Sequence, residues 1–495
     1  MVESIIHEQL LQELERESAL SLSRQVYQII SRLILNATIR AGSKLPASRA
    51  LAKDLGLSRN TVITAYEQLL AEGYVETRAG SGTFVSHTVP DVGSKVFATA
   101  PTPEQLKEQP ILSGRGRQVV DTAQAAERQW GPFVPGVPDV SLFPHGQWLR
   151  LLRRHWRTPQ PALLTYAHGA GYLPLREALC KHLRLARSVR CEPEQVIITG
   201  GIHQSLALIA FLLADTGNTA WMEDPGYWGA STVLGTSGLK LEPVKVDDEG
   251  LSPSVAQAQR PPKLIFMTPS HQYPLGHVMS LARRRMLLEY ARQHGVWMIE
   301  DDYDSEFRFG GRPIASLQGL DEHGRVLYLG TFSKTLFPSL RLGFMVVPKN
   351  LAQPMAVGLS EIYREGRLVE QAALADFITQ GHYAAHIRKM RSVYARRQSL
   401  LREAIMQHFG PDWPLSNQEA GLHLVMHLPA EVDDKALAQY AYQAGIWVRP
   451  LSNYYSGHTL TRGLLFGYAT VAEKEIGPSF ERLATIIKKF LANRA

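Results

Sequence analysis

Gly330-Thr331-Phe332-Ser333-Lys334-Thr335-Leu336 directly follows a short apolar run, residues 326–329, which predicts a β-strand. Lys334 therefore lies in a Thr- and Ser-rich turn just past a strand, and Arg341 follows it closely in the chain. A lysine amine can form a Schiff base with an aldehyde, while hydroxyls and a guanidinium bind phosphate. The stretch predicts the anchoring loop of an aldehyde cofactor that carries a phosphate.

Short apolar strands alternate with helical segments around this turn. The predicted strands are 195–199, 219–223, 264–268, 296–299 and 326–329, and helices are predicted at 204–214 and 281–294. This alternation predicts an α/β domain with a mainly parallel sheet. Each strand ends in a polar or Gly-rich loop, and ligands of such sheets lie at the carboxyl ends of the strands. We therefore expect one shared site there.

Three further loops supply candidate residues for that site. Thr199-Gly200-Gly201-Ile202 links a strand to a helix, so its amides can face a phosphate, although many such turns contain glycine. Tyr227, after Asp224-Pro225-Gly226, places an aromatic ring past a strand, or packs an ordinary turn. The stretch 300–307 contains five acidic residues. A metal site is disfavoured there because the nearest histidine, His294, lies at the far end of the strand. One carboxylate can instead keep a pyridine nitrogen protonated by accepting its N–H.

The first 90 residues show a different pattern. Apolar spacing predicts helices at 22–35, 48–55 and from Ser58 onward, with Ser58 as an N-cap. The stretches 73–78 and 83–85 flank Gly80-Ser81-Gly82 and predict a hairpin. Two short helices around a tight turn, followed by a hairpin, are typical of a winged helix-turn-helix that binds DNA. A solvated helix pair with another role is the alternative for the helical motif alone.

This N-terminal segment closely resembles the winged helix of the GntR superfamily. The resemblance rests on Leu45-Pro46-Ala47-Ser48-Arg49, Ser58-Arg59-Asn60-Thr61-Val62 and Gly80-Ser81-Gly82-Thr83-Phe84-Val85. It implies that the partner is a double-stranded DNA operator. The implied DNA-binding residues are Arg49, Ser58, Arg59, Asn60, Thr61, Gly80 and Gly82, the two glycines allowing the wing to approach the minor groove.

From about residue 130 to the end, the chain resembles the fold-type I, aspartate-aminotransferase-like family, which uses pyridoxal 5'-phosphate. The resemblance implies that Lys334 forms the internal aldimine and that Asp301 pairs with the pyridine nitrogen. It further implies that Tyr303 contacts the ring oxygen and that Tyr227 stacks on the ring. The remaining implied cofactor-binding residues are Gly201, Ile202, Thr331, Ser333 and Arg341.

Two positions depart from that family's pattern or leave a choice. The segment 270–276, Ser-His-Gln-Tyr-Pro-Leu-Gly, occupies the place of an Asn-Pro-x-Gly loop but has no asparagine, so Gln272 or His271 is the expected substitute. The carboxylate of an effector is expected to meet Arg449, which follows an apolar strand, in preference to Arg462. His423 and His427, on an alternating strand pattern, are expected to pack or to lie on the surface.

Composition agrees with a soluble chain of more than one domain. The 495 residues have a net charge of +7, a pI of about 9.2 and only two cysteines. A mild basic excess is compatible with nucleic acid, and two cysteines favour a reducing cytoplasm. The sequence shows no signal peptide and no apolar run long enough to span a membrane, so we expect no membrane partner and a cytoplasmic location.

A winged helix joined by a long linker to an aminotransferase-like domain resembles the MocR subfamily of GntR-type regulators. The expected domains are an N-terminal extension (1–20), the winged helix (21–86), a linker without regular structure (87–125) and the cofactor domain (126–495), with a small α/β subdomain at roughly 385–495. The resemblance implies a bacterial regulator that senses an amine, an amino acid or the cofactor, in a head-to-tail homodimer. Alternatives are an active aminotransferase with a DNA-binding head, or a cofactor-free interaction domain. We expect no physiological turnover beyond residual transaminase activity.

Overall fold

The computed structural model describes residues 2–87, 112–121, 123, 130–158, 160–166, 169–310, 314–364, 366–416, 420–458 and 461–492. The chain folds into two compact units, Met1–Ile111 and Leu112–Ala495. Their boundary falls inside the predicted linker. The prolines from which we predicted an irregular linker lie outside the described residues.

The first unit is a small helical domain with a hairpin. Its elements are α1 (Val2–Glu13), α2 (Leu22–Leu35), α3 (Ser48–Asp54), α4 (Arg59–Ala71), β1 (Val75–Arg78) and β2 (Gly82–Val85). One core joins them, and Ile6 and Leu10 of α1 are fully buried in it. Gln25 fixes the turn between α1 and α2, because its side-chain amide accepts from Glu15 N and donates to Glu15 O. The N-terminal segment, which we separated from the domain as an extension, therefore packs as part of its core.

The predicted linker contains a helix, α5 (Gly114–Asp121). Ser113 precedes it and caps it: the Ser113 hydroxyl accepts from Gly116 N at 3.1 Å, and Arg117 N donates to the Ser113 carbonyl. A capping serine offsets the low helix propensity of the two glycines. The expectation of no regular structure was wrong for these residues.

The second unit is built on an eight-stranded mixed sheet in the order β3-β10-β9-β8-β7-β4-β5-β6. Its strands are β3 (Val196–Thr199), β4 (Thr219–Asp224), β5 (Lys240–Asp247), β6 (Gly250–Leu251), β7 (Leu264–Met267), β8 (Trp297–Asp302), β9 (Val326–Thr331) and β10 (Gly343–Val346). The five central strands β9, β8, β7, β4 and β5 pair in parallel. The predicted α/β class with a mainly parallel sheet is confirmed.

Three strands of this sheet were not predicted. Strand β10 runs antiparallel between β3 and β9, and β6 is an antiparallel edge on β5. Strand β5 carries charged residues and Pro243, so it lacks the apolar run by which the other strands were recognised. Strand β10 follows the Lys334 turn so closely that its four residues read as part of the loop.

Helices cover both faces of the sheet and build a smaller C-terminal lobe. They are α6 (His145–Arg157), α7 (Pro161–Leu164), α8 (Leu173–Arg187), α9 (Ile202–Leu213), α10 (Trp228–Thr236), α11 (Val255–Ala258), α12 (Leu281–His294), α13 (Leu317–Leu320), α14 (Lys349–Tyr363), α15 (Leu368–Thr379), α16 (His382–Phe409), α17 (Asp434–Gln443) and α18 (Glu473–Ala492). The lobe adds an antiparallel sheet, in the order β11-β13-β12, of β11 (His423–Leu428), β12 (Arg449–Pro450) and β13 (Arg462–Gly467).

The segment that enters the second unit packs into this C-terminal lobe. Phe133 is fully buried, with its ring centroid 5.7 Å from that of Phe466 and 6.4 Å from that of Phe480. The same segment continues to Gly136, which lies at the candidate site. Among the described residues, no helix is both long and apolar enough to cross a membrane.

Candidate functional site

A cavity of about 220 Å³ opens where strands β3, β4, β8 and β9 end. All nine residues that the sequence assigned to cofactor binding line it: Gly201, Ile202, Tyr227, Asp301, Tyr303, Thr331, Ser333, Lys334 and Arg341. They come together because parallel strands present their carboxyl ends at one edge of the sheet.

Lys334 is half-buried and lines this cavity. Its Nζ donates a 2.6 Å hydrogen bond to the Gly136 carbonyl, a contact from the entry segment that the sequence did not predict. Burial lowers the pKa of Lys334, against the opposing effect of Asp304 and Asp301. A lowered pKa increases the fraction of uncharged amine, which is the form that attacks a carbonyl carbon.

Asp301 faces Lys334 from the end of β8. Burial, with a contribution from the neighbouring Asp302, raises the pKa of Asp301 to about 8. Asp302 itself pairs with Arg187 at 2.7 Å and accepts a hydrogen bond from the Tyr328 hydroxyl. Within the described residues the Asp301 carboxyl has no hydrogen-bond partner. A ligand that presents a cationic N–H there would supply the missing partner, so the residue fits the pyridine nitrogen of pyridoxal phosphate.

As the pH rises, an Asp301→Asn variant of the cofactor-free protein is expected to lose less stability than the parent. The pKa of Asp301 is about 8 in the fold against a reference value of 3.8, so the unfolded chain releases this proton first. The free energy of unfolding of the parent therefore decreases as the pH rises from 3.8 to about 8, by at most about 1.4 kcal/mol per pH unit. Urea unfolding from pH 5 to pH 8 measures the difference between variant and parent.

The exposed Asp215→Asn substitution is the matched control, since it makes the same chemical change far from the cavity. Burial raises the pKa values of Glu223, Glu300 and Glu306 to about 7, but all three remain in both proteins. The difference between parent and variant therefore isolates Asp301. Parallel stability curves for parent and Asp301→Asn would refute a raised pKa for this carboxyl.

Tyr303 takes its orientation from a buried histidine and carboxylate. His271 Nδ1 lies 2.9 Å from the nearer Asp304 oxygen and 2.9 Å from the Tyr303 hydroxyl. A carboxylate only accepts hydrogen bonds, so the hydrogen lies on His271 Nδ1. This N–H is shared between the Asp304 carboxylate and the Tyr303 hydroxyl oxygen. The Tyr303 oxygen is then an acceptor toward His271, which leaves its own hydrogen to point into the cavity. Asp304, three residues past Asp301, was missed as a site residue by the sequence analysis.

The loop that lacks asparagine presents Tyr273 to the cavity. The Gln272 amide points elsewhere, donating to the carbonyls of Pro225 and Tyr273 at 2.8 Å each. The Tyr273 hydroxyl lies 3.1 Å from that of Tyr454. Gln272 is therefore not the substitute that we expected, and His271 reaches the site only through Tyr303. Tyr273 precedes Pro274 directly, the position that asparagine holds in an Asn-Pro pair.

The opposite end of the cavity suits an anion. Helix α9 points its N-terminus there, where first-turn amides have no intrahelical acceptor. Gly201 has φ +110°, and a Cβ at this position would meet nothing within 4 Å, so the backbone is open to a ligand. Arg341, Thr331 and Ser333 line the same cavity. This donor set matches a phosphate monoester.

His203, which the sequence analysis missed, lies beside this end. Its Nε2 is 3.0 Å from the Tyr227 hydroxyl, so it holds the ring that we expected to stack on the cofactor. Burial, with the nearby charges of Arg341 and Lys334, lowers the pKa of His203. A histidine two residues after a glycine-rich turn is the signal that was available in the sequence.

His423 also lines the cavity, although its strand pattern predicted packing or surface. It belongs to β11 of the C-terminal lobe and is 1% exposed, with Nε2 3.1 Å from the Pro274 carbonyl. Burial and the neighbouring His271 lower its pKa to about 3. His423 and Leu422 therefore close the cavity from the smaller lobe, a contact that spacing along one strand cannot reveal.

The two candidate arginines for an effector carboxylate lie in different surroundings. Arg462 Nη1 is 3.5 Å from the fully buried Asp434, which also accepts from Ser452 and Gly463. Arg449 is half-buried in β12, and its charge acts on the pKa values of Lys334 and Tyr227 in the cavity. Arg449 is not among the described residues that line the cavity itself. Arg449 borders the cavity closely enough for its charge to act there, and Arg462 pairs with Asp434.

The acidic cluster at 300–307 is distributed among separate partners. Glu300 accepts from the amides of Leu317 and Gln318, Asp302 pairs with Arg187, and Asp304 pairs with His271. Among the described residues, no three His, Cys, Asp or Glu side chains are grouped to hold a metal ion.

A second surface with functional character lies in the first unit, at the start of α4. The Ser58 hydroxyl accepts from Thr61 N at 3.1 Å and lies 2.8 Å from the Thr61 hydroxyl, so it caps the helix as predicted. Arg59 and Asn60 are exposed, and within the described residues neither side chain has a hydrogen bond or an ion pair. Arg49 on α3 is exposed as well.

The hairpin of the same unit has a cation on either side of its aromatic residue, and one of them, Arg78, also pairs with Glu76. Strands β1 and β2 pair with Arg78 opposite Gly82, and Gly80 and Gly82 have φ +72° and +114°. The guanidinium of Arg78 lies 4.6 Å from the ring centroid of Phe84, and Lys44 Nζ lies 5.9 Å from it. The glycines make the turn, and two cations flank its aromatic residue.

Comparisons with known proteins identify a family for each of the two units. Residues 22–85 match the family of bacterial regulatory proteins, gntR family, and residues 147–476 match aminotransferase class I and II. The probable rhizopine catabolism regulatory protein MocR of Rhizobium meliloti is 42% identical over 93% of this chain and 92% of that protein. The transcriptional regulator TauR of Rhodobacter capsulatus is 31% identical over 94% and 97%, respectively.

Solved structures show the fold of the second unit. An archaeal alanine:glyoxylate aminotransferase superposes with a TM-score of 0.69 at 22% identity, covering 76% of this chain and 98% of its own. The α-aminoadipate aminotransferase LysN of Thermus thermophilus reaches 0.68 at 24% identity, over 76% and 97%. The chain belongs to the MocR-type transcriptional regulators, in which a DNA-binding GntR winged helix is followed by a class I and II aminotransferase domain.

Proposed function

We propose that this regulator binds pyridoxal 5'-phosphate at Lys334 and uses it to sense an amine or amino acid, or the cofactor itself. The observation that carries the proposal is the convergence of three features in one cavity: a half-buried lysine with a lowered pKa, a buried carboxyl without a hydrogen-bond partner among the described residues, and the N-terminus of a helix. The structure of LysN, with the same fold, is a complex with a phosphopyridoxyl-leucine compound.

Each end of the cavity has a role in this proposal. When bound, the cofactor supplies an aldehyde that reacts reversibly with amines and a ring that accepts electron density. Lys334 provides the resident amine, and Asp301 holds a proton on the ring nitrogen. Tyr303 directs its hydroxyl hydrogen to the ring oxygen, while Arg341 and the first amides of α9 bind the phosphate.

An effector with a carboxylate would be bound by Arg449. This arginine belongs to the smaller lobe, and its charge already acts on the groups that line the cavity. An amino acid that exchanges with Lys334 while pairing with Arg449 would contact both lobes at once. We propose that the resulting shift between the lobes is transmitted to the winged helices of a head-to-tail dimer, and changes their spacing on an operator.

The alternative function is an active aminotransferase that carries a DNA-binding head. It is favoured by the lowered pKa of Lys334, because an uncharged amine can also move protons during turnover. We place sensing first because a winged helix has no role in amino-acid metabolism. With either function the proposed location is the bacterial cytoplasm, where DNA and free amino acids are both present.

A single titration tests the proposal. The cofactor-loaded protein is mixed with a panel of amino acids and amines, and visible absorbance and affinity for a duplex selected from random DNA are measured together. We expect one class of amine to change both quantities at the same concentration. No absorbance change with any amine, together with equal operator affinity with and without cofactor, would overturn the sensing function. Release of a keto product in a single turnover would favour the enzyme.

A further inference from the structure

Helix α6 carries a stripe of arginines that the cofactor site does not use. Arg150, Arg153, Arg154 and Arg157 follow the spacing i, i+3, i+4, i+7, so they share one face of the helix. All four are exposed, and they line a surface groove of about 560 Å³ together with Leu149. We define these four residues as the arginine stripe.

The opposite face of α6 is fixed in the fold. Trp148 and Leu151 are buried, and His155 Nε2 lies 3.0 Å from Asp376 of α15. This anchoring prevents the helix from turning the arginine stripe inward. The stripe is therefore a permanent feature of the surface of the second unit.

The positive charge of the stripe is largely uncompensated. Of the four arginines, only Arg154 has an ion pair within the described residues, at 3.4 Å to Asp376. No Asp or Glu occurs in the sequence between Asp139 and Glu177. Such a surface favours an anionic partner, and a second copy of a chain with net charge +7 and the same basic helix is a poor one.

We propose that the arginine stripe is a second DNA-binding surface, which contacts the phosphate backbone of the operator outside the bases read by the winged helix. Four residues over two turns of helix span about 10 Å, and phosphates of one strand advance about 3.4 Å along the duplex, so about three phosphates fit the stripe. Guanidinium groups bind phosphate oxygens in pairs and read no sequence. The surface would add affinity and salt dependence without adding base specificity.

The test uses the full cofactor-loaded chain with Arg150→Gln, Arg153→Gln and Arg157→Gln combined, which leaves the Arg154 ion pair in place. Two duplexes share one selected operator: a short one ends at the bases marked by methylation interference, and a long one extends about 20 base pairs further on each side. On the long duplex we expect roughly tenfold weaker binding. The salt slope, which is the slope of log affinity against log salt concentration, should be smaller in magnitude by about 2 to 3. On the short duplex we expect no change.

The matched control makes the same charge change on α18, where Lys474, Arg482 and Lys489 are also exposed. That triple Gln variant should bind both duplexes as the parent does. Equal affinity and salt slope of the stripe variant and the parent on the long duplex would overturn the proposal. So would a change from dimer to monomer in light scattering, because the stripe would then be an interface between copies. Unchanged cofactor absorbance of the stripe variant separates this test from that of the sensing function.

Discussion

A Lys334→Ala variant is expected to form no covalent adduct with pyridoxal phosphate and to show none of the visible absorbance that such an adduct gives. The Nζ of Lys334 is the amine that the cavity places opposite Asp301, and alanine has no group to react with the aldehyde. Reduction with borohydride followed by mass spectrometry measures this directly. The parent should gain one reduced pyridoxyl phosphate group on the peptide that contains Lys334, and the variant should gain none.

The variant should still bind operator DNA, because Arg59 and Asn60 belong to a separately folded unit. Its operator affinity should respond less to amines than that of the parent, since no resident amine is left for an amine to displace. The surface substitution Lys349→Ala, at the start of α14, is the matched control and should behave as the parent. An unchanged adduct in Lys334→Ala would show that another lysine holds the cofactor, and would contradict the assignment of the site.

Arg59→Ala is expected to weaken operator binding by about 1 to 3 kcal/mol, or roughly 5- to 150-fold. Arg59 is the first residue of α4, its side chain is exposed, and within the described residues it makes no ion pair. A guanidinium held at the end of a capped helix can donate two hydrogen bonds to a guanine edge without first breaking another contact. Fluorescence anisotropy with the selected operator measures the loss.

The matched control for Arg59 is Arg32→Ala in the same unit. Arg32 is half exposed on α2 and pairs with Glu13, a surface ion pair whose loss has little effect on stability. Both substitutions remove one positive charge, so a general electrostatic effect would be equal in the two. Equal losses for Arg59→Ala and Arg32→Ala would contradict base recognition by Arg59. A larger loss only for Arg59→Ala, with relaxed sequence preference, is the expected result.

The sequence was sufficient to predict the α/β class and to choose residues that lie in one cavity. Lys334, Asp301 and Gly201 each lie in the loop or strand end that comes after an apolar run, and the geometry of a parallel sheet brings such positions together. Their roles toward the cofactor stay predictions until the measurements above are made. The winged helix was equally accessible, since Ser58 caps its helix through a local contact that sequence spacing encodes.

The missed features depend on contacts between distant parts of the chain. His423 reaches the cavity from the smaller lobe, and Gly136 reaches Lys334 across 198 residues of sequence. Tyr273 and Gln272 are neighbours, so only the path of the loop decides which one faces the ligand. The helix at 114–121 was missed because the linker was predicted from its overall proline and glycine content, whereas this helix depends on a local cap by Ser113.

The hydrogen bond that Lys334 donates to the Gly136 carbonyl competes with the ligand for the lysine amine. Before Nζ can react with an aldehyde it must leave the carbonyl, at a net cost of about 1 kcal/mol, or about fivefold in apparent affinity. Breaking that bond also releases one end of the segment that Phe133 anchors in the core of the C-terminal lobe. Occupancy of the lysine and local opening of this segment are thus thermodynamically linked, and backbone amides near Gly136 should exchange hydrogen faster in the loaded protein than in the empty one.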